Sequence, residues 1–210
     1  MAGERSTAAA GPGPGETAHA DAPVAERVRR LEALLEAEGV VTGAELDDIL
    51  DRYLASARPA NGARIVARAW VDAGFRARLL SDAGPAIGEI GLSMRGGIQP
   101  QLLRVVENTD RVHNVVVCTL CSCYPIGLLG PSPSWYRSEA YRSRVVRRPR
   151  EVLAELGTEV GESVEIRVWD SSAETRYLVL PRRPAGTEGL PEAALAALVT
   201  RRGMIGTAAV

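Results

Sequence analysis

The apolar period of this chain changes partway along, and that change limits what it can fold into. From Val24 to about Leu80, apolar residues recur every third or fourth position, as on one face of a helix. In "VAERVRRLEALLEAEG" they are Val24, Val28, Leu31, Leu34 and Leu35, with Gly39 as the stop. "TGAELDDILDRYLASA" follows, with Thr42 and Glu45 spaced as a capping box and Leu46, Ile49, Leu50 and Tyr53 on the apolar side. A third helix, "ARIVARAWVDAGFRARLL", opens at Asn61 and buries Ile65, Val66 and Trp70. After "SDAGPAIGEIG" the pattern turns to β-branched runs: "LLRVVEN", "HNVVVC", "VEIRVWD" and "RYLVLP" read as strands. Between them "RPREVLAELG" is a helix with Pro149 in its first turn, and "PEAALAALVTRRGMIG" is a closing helix started by Pro191. Helices first, then strands with a few helices, predict an α+β fold. The expected divisions are a disordered tail over 1–23, a helical arm over 24–85 and a second domain over 86–210.

Composition narrows the function. The chain has 210 residues, 46% of them hydrophobic, enough to bury a core. Its net charge of −1 gives no general attraction to nucleic acid or an anionic membrane. No stretch of about twenty apolar residues could span a bilayer, and the N-terminus does not read as a secretory signal. With only three cysteines, all clustered, a stapled secreted scaffold is not expected, so the chain reads as cytoplasmic.

Those cysteines lie within six residues, in "VVVCTLCSCYP", at 118, 121 and 123. Cys118 and Cys121 have the spacing of a redox dithiol, which leaves Cys123 without a role. Structural zinc needs a fourth ligand. His113 would be carried away by the strand-like residues between, and His19 lies in the tail. A further option uses the backbone. The sulfurs of Cys121 and Cys123 and the amide nitrogens of Ser122 and Cys123 can form a planar four-donor set, with Cys118 as a fifth ligand. Such a claw requires a metal with a strong octahedral preference, which zinc lacks.

"VCTLCSCYP" resembles the metal claw of the nitrile hydratase α subunit, and Thr119 stands where cobalt-type members carry Thr and iron-type members Ser. "VENTDRVHNVVVC", "YRSRVVRRPREVL", "VWDSSAETRYLVLPRRPAGTEG" and "LVTRRGMIG" are similar to the same subunit, so the likeness runs from Val24 to Gly206. It implies a helical arm reaching around a β-type subunit and a layered α-β-β-α metal-binding domain. It implies one Co(III), rather than iron, on Cys118, Cys121, Ser122 and Cys123, with Cys121 oxidised to sulfinate and Cys123 to sulfenate. The implied reaction is hydration of a nitrile to an amide, with the Cys123 sulfenate oxygen or a hydroxide at the metal as nucleophile. Cys123, Ser122, Asp170, Glu174 and Arg176 are the expected catalytic set. The last three read as carboxylates and a guanidinium alternating along one strand, and Thr119 and Ser122 add candidate hydroxyl donors. One or two β-type chains and a cobalt activator protein are the implied partners.

Three features qualify that expectation. Most members of the family follow the claw with Tyr-Pro-Trp-Pro, whereas this chain reads Tyr124-Pro125-Ile126-Gly127. The exchange points to a wider pocket and a bulky, even heteroaromatic, nitrile, or else to local repacking around Ile126. The same claw occurs in thiocyanate hydrolase, and a non-catalytic cobalt-carrying subunit would also fit the motif. The arginine-rich "WYRSEAYRSRVVRRPR", with Arg137, Arg142, Arg144, Arg147, Arg148 and Arg150, is expected to face the partner subunit rather than nucleic acid.

Overall fold

In a computed structural model, residues 22–94, 101–121 and 123–209 are described. Residues 1–21 of the expected tail, with His19, and Ser122 therefore lie outside the described residues, whereas Ala22 and Pro23, expected in the tail, open the first helix. The chain divides into two compact units, Met1–Asp51 and Arg52–Val210.

In the first unit, α1 (Ala22–Ala37) ends as the sequence predicts. Gly39 has φ +66, its N–H reaches the carbonyl of Glu36, and the Val40 N–H reaches that of Leu35. This is a Schellman closure, whose left-handed residue favours glycine. The capping box is present at the start of α2 (Gly43–Ser56): the Thr42 N–H donates to Glu45 Oε2 at 2.8 Å and the Glu45 N–H to Thr42 Oγ1 at 3.2 Å. The apolar stripe of this unit is uncovered, with Val24, Val28, Leu31 and Leu34 each about half exposed or more.

The second unit begins at Arg52 and so includes residues 52–85 of the expected arm. The reason is packing: α3 (Pro59–Val71), α4 (Ala73–Ser81) and α5 (Ala83–Gly88) put Ile65, Val66, Phe75, Leu79 and Ile87 into the same core as the strands. The single helix expected over this stretch is two. Asp72 leaves the helical conformation and caps α4, its carboxylate accepting the Phe75 N–H at 2.8 Å.

The four strands form where the sequence places them, as two parallel pairs. β1 (Leu102–Glu107) pairs with β4 (Thr175–Leu180), and β2 (Val112–Val117) with β3 (Glu165–Asp170). Short turns, β1 to β2 and β3 to β4, carry the chain from one sheet to the other. Val105, Val115, Val117, Leu178 and Leu180 fill the core of the sheet layers, and helices flank them, giving the layered α-β-β-α arrangement. A parallel pair needs a long crossover. The one from β2 to β3 holds the cysteine loop and then α6 (Ile126–Leu129), α7 (Ser134–Arg137), α8 (Glu139–Val145) and α9 (Pro149–Glu155). The closing helix is likewise two, α10 (Glu192–Leu198) and α11 (Arg201–Ile205), because Thr200 accepts the Gly203 N–H and caps the second. After α11, Gly206 (φ +85) lies so close to β2 that a Cβ there would sit 1.9 Å from the Asn114 carbonyl oxygen.

Candidate metal centre

The cysteine loop leaves the C-terminal end of β2, where Val117 pairs with Asp170 of β3. Cys118 is buried, Cys123 is partly buried and Cys121 is exposed. Their three Sγ atoms lie within 4.8 Å of one another, with Cys118–Cys121 at 3.4 Å and Cys121–Cys123 at 3.2 Å. With metal–sulfur bonds of about 2.3 Å, sulfurs at right angles stand about 3.3 Å apart and tetrahedral ones about 3.8 Å. The two spacings match right angles, the arrangement of an octahedral or square site. The Cys121 N–H also points to Cys118 Sγ at 3.3 Å, as expected for a loop folded to gather thiolates.

Without an ion, burial and the Cys121 contact push the Cys123 thiol up to about 12, against a smaller opposing pull from Arg176. A cation is therefore what would bring this sulfur to the thiolate form. His113 takes no part. Its Nε2 donates to the Gly206 carbonyl at 2.7 Å from the start of β2, and burial lowers its pKa.

The residues predicted around the cysteines separate into different tasks. Asp170, Glu174 and Arg176 do not alternate along one strand: Asp170 ends β3, Glu174 lies in the turn, and Arg176 is on β4, in the other sheet. Asp170 grips the loop, accepting the Thr119 N–H at 2.9 Å and the Thr119 hydroxyl at 2.6 Å. Glu174 faces solvent and accepts from the Ser172 hydroxyl at 3.0 Å. Arg176 is only 8% exposed. Its Nη1 is held by the carbonyls of Ser172, Ala173 (3.1 Å) and Thr175 (3.4 Å), and its buried Nε has no partner among the described residues.

Arg176 shares a cavity of about 460 Å³ with Cys121 and Cys123. Tyr53, Ile126 and Gly127 also line it, and a Cβ added at Gly127 would meet nothing nearer than the Ser93 carbonyl at 4.0 Å. Asn61, which the sequence marks only as a helix start, ties the wall together by donating to the carbonyls of Ser56 (2.8 Å) and Gly127 (2.9 Å).

Several loop supports have no signal in the sequence. The Tyr136 hydroxyl donates to the Cys123 carbonyl at 3.0 Å and that of Tyr141 to the Val116 carbonyl at 2.8 Å. Arg142 reaches the Cys121 carbonyl at 3.3 Å. The other arginines of this segment are partly used within the domain: Arg144 pairs with Glu155, Arg148 with Glu151, and Arg150 binds the carbonyls of Val160, Gly161 and Val164.

The donor set fits a thiophilic metal ion: three gathered sulfurs, and beside them a buried cationic group with an unused donor. Known proteins agree. The family "Nitrile hydratase, alpha chain" matches residues 22–208. The low-molecular-weight cobalt-containing nitrile hydratase subunit alpha of Rhodococcus rhodochrous is 53% identical over 183 residues, 87% of each chain. The thiocyanate hydrolase subunit gamma of Thiobacillus thioparus is 41% identical, over 89% of this chain and 83% of that one. Among solved structures, a double mutant of the Fe-type nitrile hydratase from Comamonas testosteroni Ni1 superimposes with a TM-score of 0.81 at 42% identity, over 90% of this chain and 91% of that one.

Proposed function

The chain belongs to the nitrile hydratase alpha-chain family, and from that premise we propose that it hydrates an organic nitrile to the amide at a cobalt(III) centre, together with a β-type subunit. The observation that carries this reading is the gathering of the three sulfurs, with Cys121 at right-angle spacing from both Cys118 and Cys123, beside a cavity that Arg176 also lines. Cys118, Cys121 and Cys123 would hold the ion by sulfur, with the backbone nitrogens of Ser122 and Cys123. The ion would supply Lewis acidity toward the nitrile or water.

The rest follows from this chain's own groups. Burial of Cys118 protects it, while Cys121 and Cys123 are open enough to be oxidised, to sulfinate and sulfenate. Cys123 lines the cavity, and its sulfenate oxygen would be the nucleophile we favour, adding to the nitrile carbon, with water then releasing the amide and restoring the sulfenate. Arg176, which lines the same cavity as Cys123, would offset the negative charge on that oxygen. Asp170 positions the loop through Thr119 and does not touch substrate. Glu174 acts at greater distance, through the Ser172 turn that also holds Arg176. Ile126 and Gly127 leave space beside the cysteines for a bulky or heteroaromatic nitrile.

The β-type subunit, one or two chains, covers the open face of α1 and the arginine-rich segment, and an activator protein delivers the cobalt. The likeness to the cobalt-containing Rhodococcus subunit supports cobalt, and Thr119 agrees with it. Thiocyanate is the second substrate reading, favoured by the likeness to the gamma subunit of the Thiobacillus hydrolase. The test is turnover of acetonitrile, a bicyclic heteroaromatic nitrile and thiocyanate by the chain coexpressed with its partner and cobalt. The heteroaromatic nitrile should be the best of the three. Preference for acetonitrile removes the wide-pocket reading, preference for thiocyanate replaces the substrate class, and no turnover by cobalt-loaded complex leaves a carrier.

A further inference from the structure

We propose that Tyr136 is a positioning residue of the metal loop, setting the angle at which Cys123 presents its sulfur. The inference rests on the reading that the cysteine trio holds a metal. Tyr136 lies in α7, thirteen residues beyond Cys123, and is fully buried. Its hydroxyl donates to the Cys123 carbonyl at 3.0 Å. That bond fixes the peptide plane following Cys123, and with it the backbone torsion that aims the Cα–Cβ bond. No regular secondary structure holds this part of the chain: Cys123, Tyr124 and Pro125 lie between β2 and α6 with neither helix nor strand geometry.

The ring that carries the hydroxyl is itself immobilised. Tyr124 meets it edge-on at 5.1 Å, Trp135 at 6.1 Å, and Tyr141 lies tilted at 5.8 Å. Aromatic contacts of this kind fix ring orientation beyond simple area burial. Tyr136 thus joins a rigid aromatic cluster to Cys123, which no helix or strand holds. Cys118 needs no such anchor, since it directly follows β2, and Thr119 is held by Asp170.

Tyr141 provides the internal comparison. Its hydroxyl makes a bond of similar length, 2.8 Å, from the same cluster, but to Val116, whose place is already set by pairing with Trp169 of β3. Losing that hydroxyl should leave the sulfurs where they are. Losing the Tyr136 hydroxyl should not.

The experiment is an anaerobic titration of the reduced full-length chain with cobalt(II), followed by sulfur-to-cobalt absorption, for the wild type, Tyr136→Phe and Tyr141→Phe. The wild type should bind one ion. Tyr136→Phe, which keeps the ring, should bind about 10- to 100-fold more weakly, the usual loss when an outer support of a metal site is removed. Tyr141→Phe should stay close to the wild type, and 4-aminophenylalanine at position 136, which restores a donor on the same ring, should recover most of the affinity. Undiminished binding by Tyr136→Phe overturns the proposal. So does equal weakening by both variants, which would indicate general loss of packing, and so does failure of the aminophenylalanine protein to recover. A wild type that takes no cobalt removes the metal reading itself, and the proposal falls with it.

Discussion

At the residue scale, Asp170 and Cys118 make separable contributions. Asp170 receives two bonds from Thr119 and is absent from the cavity wall. Asp170→Asn keeps the shape but removes the carboxylate charge, leaving one amide oxygen for the Thr119 N–H and an NH₂ group that the Thr119 hydroxyl must turn to accept. We expect about tenfold lower kcat and reduced cobalt content, with KM near the wild-type value; steady-state kinetics and metal analysis check this. Cys118→Ser replaces a buried thiolate donor with a hydroxyl, a hard ligand in a soft set, and should leave less than a tenth of the cobalt bound, read by elemental analysis of purified protein. The cysteine cluster was legible in the sequence because few chemistries use three cysteines at this spacing. Tyr136, Tyr141 and Asn61 were not. The contact that matters in each is made 13, 25 and 66 positions away, and nothing local distinguishes them from ordinary core or turn residues.

At the scale of elements, Gly206 joins α11 to β2. A side chain there would combine a left-handed φ with a 1.9 Å approach to the Asn114 carbonyl. Gly206→Ala should cost about 4 kcal/mol or more, the level of the most damaging single substitutions. At roughly 2–4 °C per kcal/mol for a chain of this size, Tm should fall by about 10 °C, measured by thermal unfolding. The helix joints carry a pH dependence. Asp72, through the Phe75 N–H, and Glu89, through its bonds with Arg78, both have pKa values held below the ordinary carboxylate range. Their stabilisation is present above the unfolded pKa, about 4, and is lost as pH falls through the folded values. Urea unfolding from pH 6 to pH 3 should show a declining midpoint, and Asp72→Asn should flatten the acid limb. Strand positions were readable from β-branched runs. The pairing was not, because β1 finds β4 and β2 finds β3 across long sequence separations that no local pattern records. The breaks at Asp72 and Thr200 had a local signal, a side chain able to cap, that the continuous apolar period masked.

For the whole molecule, the cysteine cluster lies in the second unit, and the first unit is helical with an exposed apolar face. Val24, Val28, Leu31 and Leu34 present more apolar surface than a solitary helix would keep in water, and we assign that face to the β-type subunit. Leu31→Glu combined with Leu34→Glu should abolish the heteromer in size-exclusion chromatography while leaving the unfolding temperature of the isolated chain unchanged; retention of the complex would move the interface elsewhere. No described helix is long and apolar enough to cross a membrane. The central claim is the metal and the state of its ligands. It is tested most directly by metal analysis and intact mass on one sample of the chain coexpressed with its partner. The account predicts one cobalt per chain and a mass gain of three oxygens, two on Cys121 and one on Cys123. Zinc, or no metal, with unmodified cysteines in an active complex would contradict it.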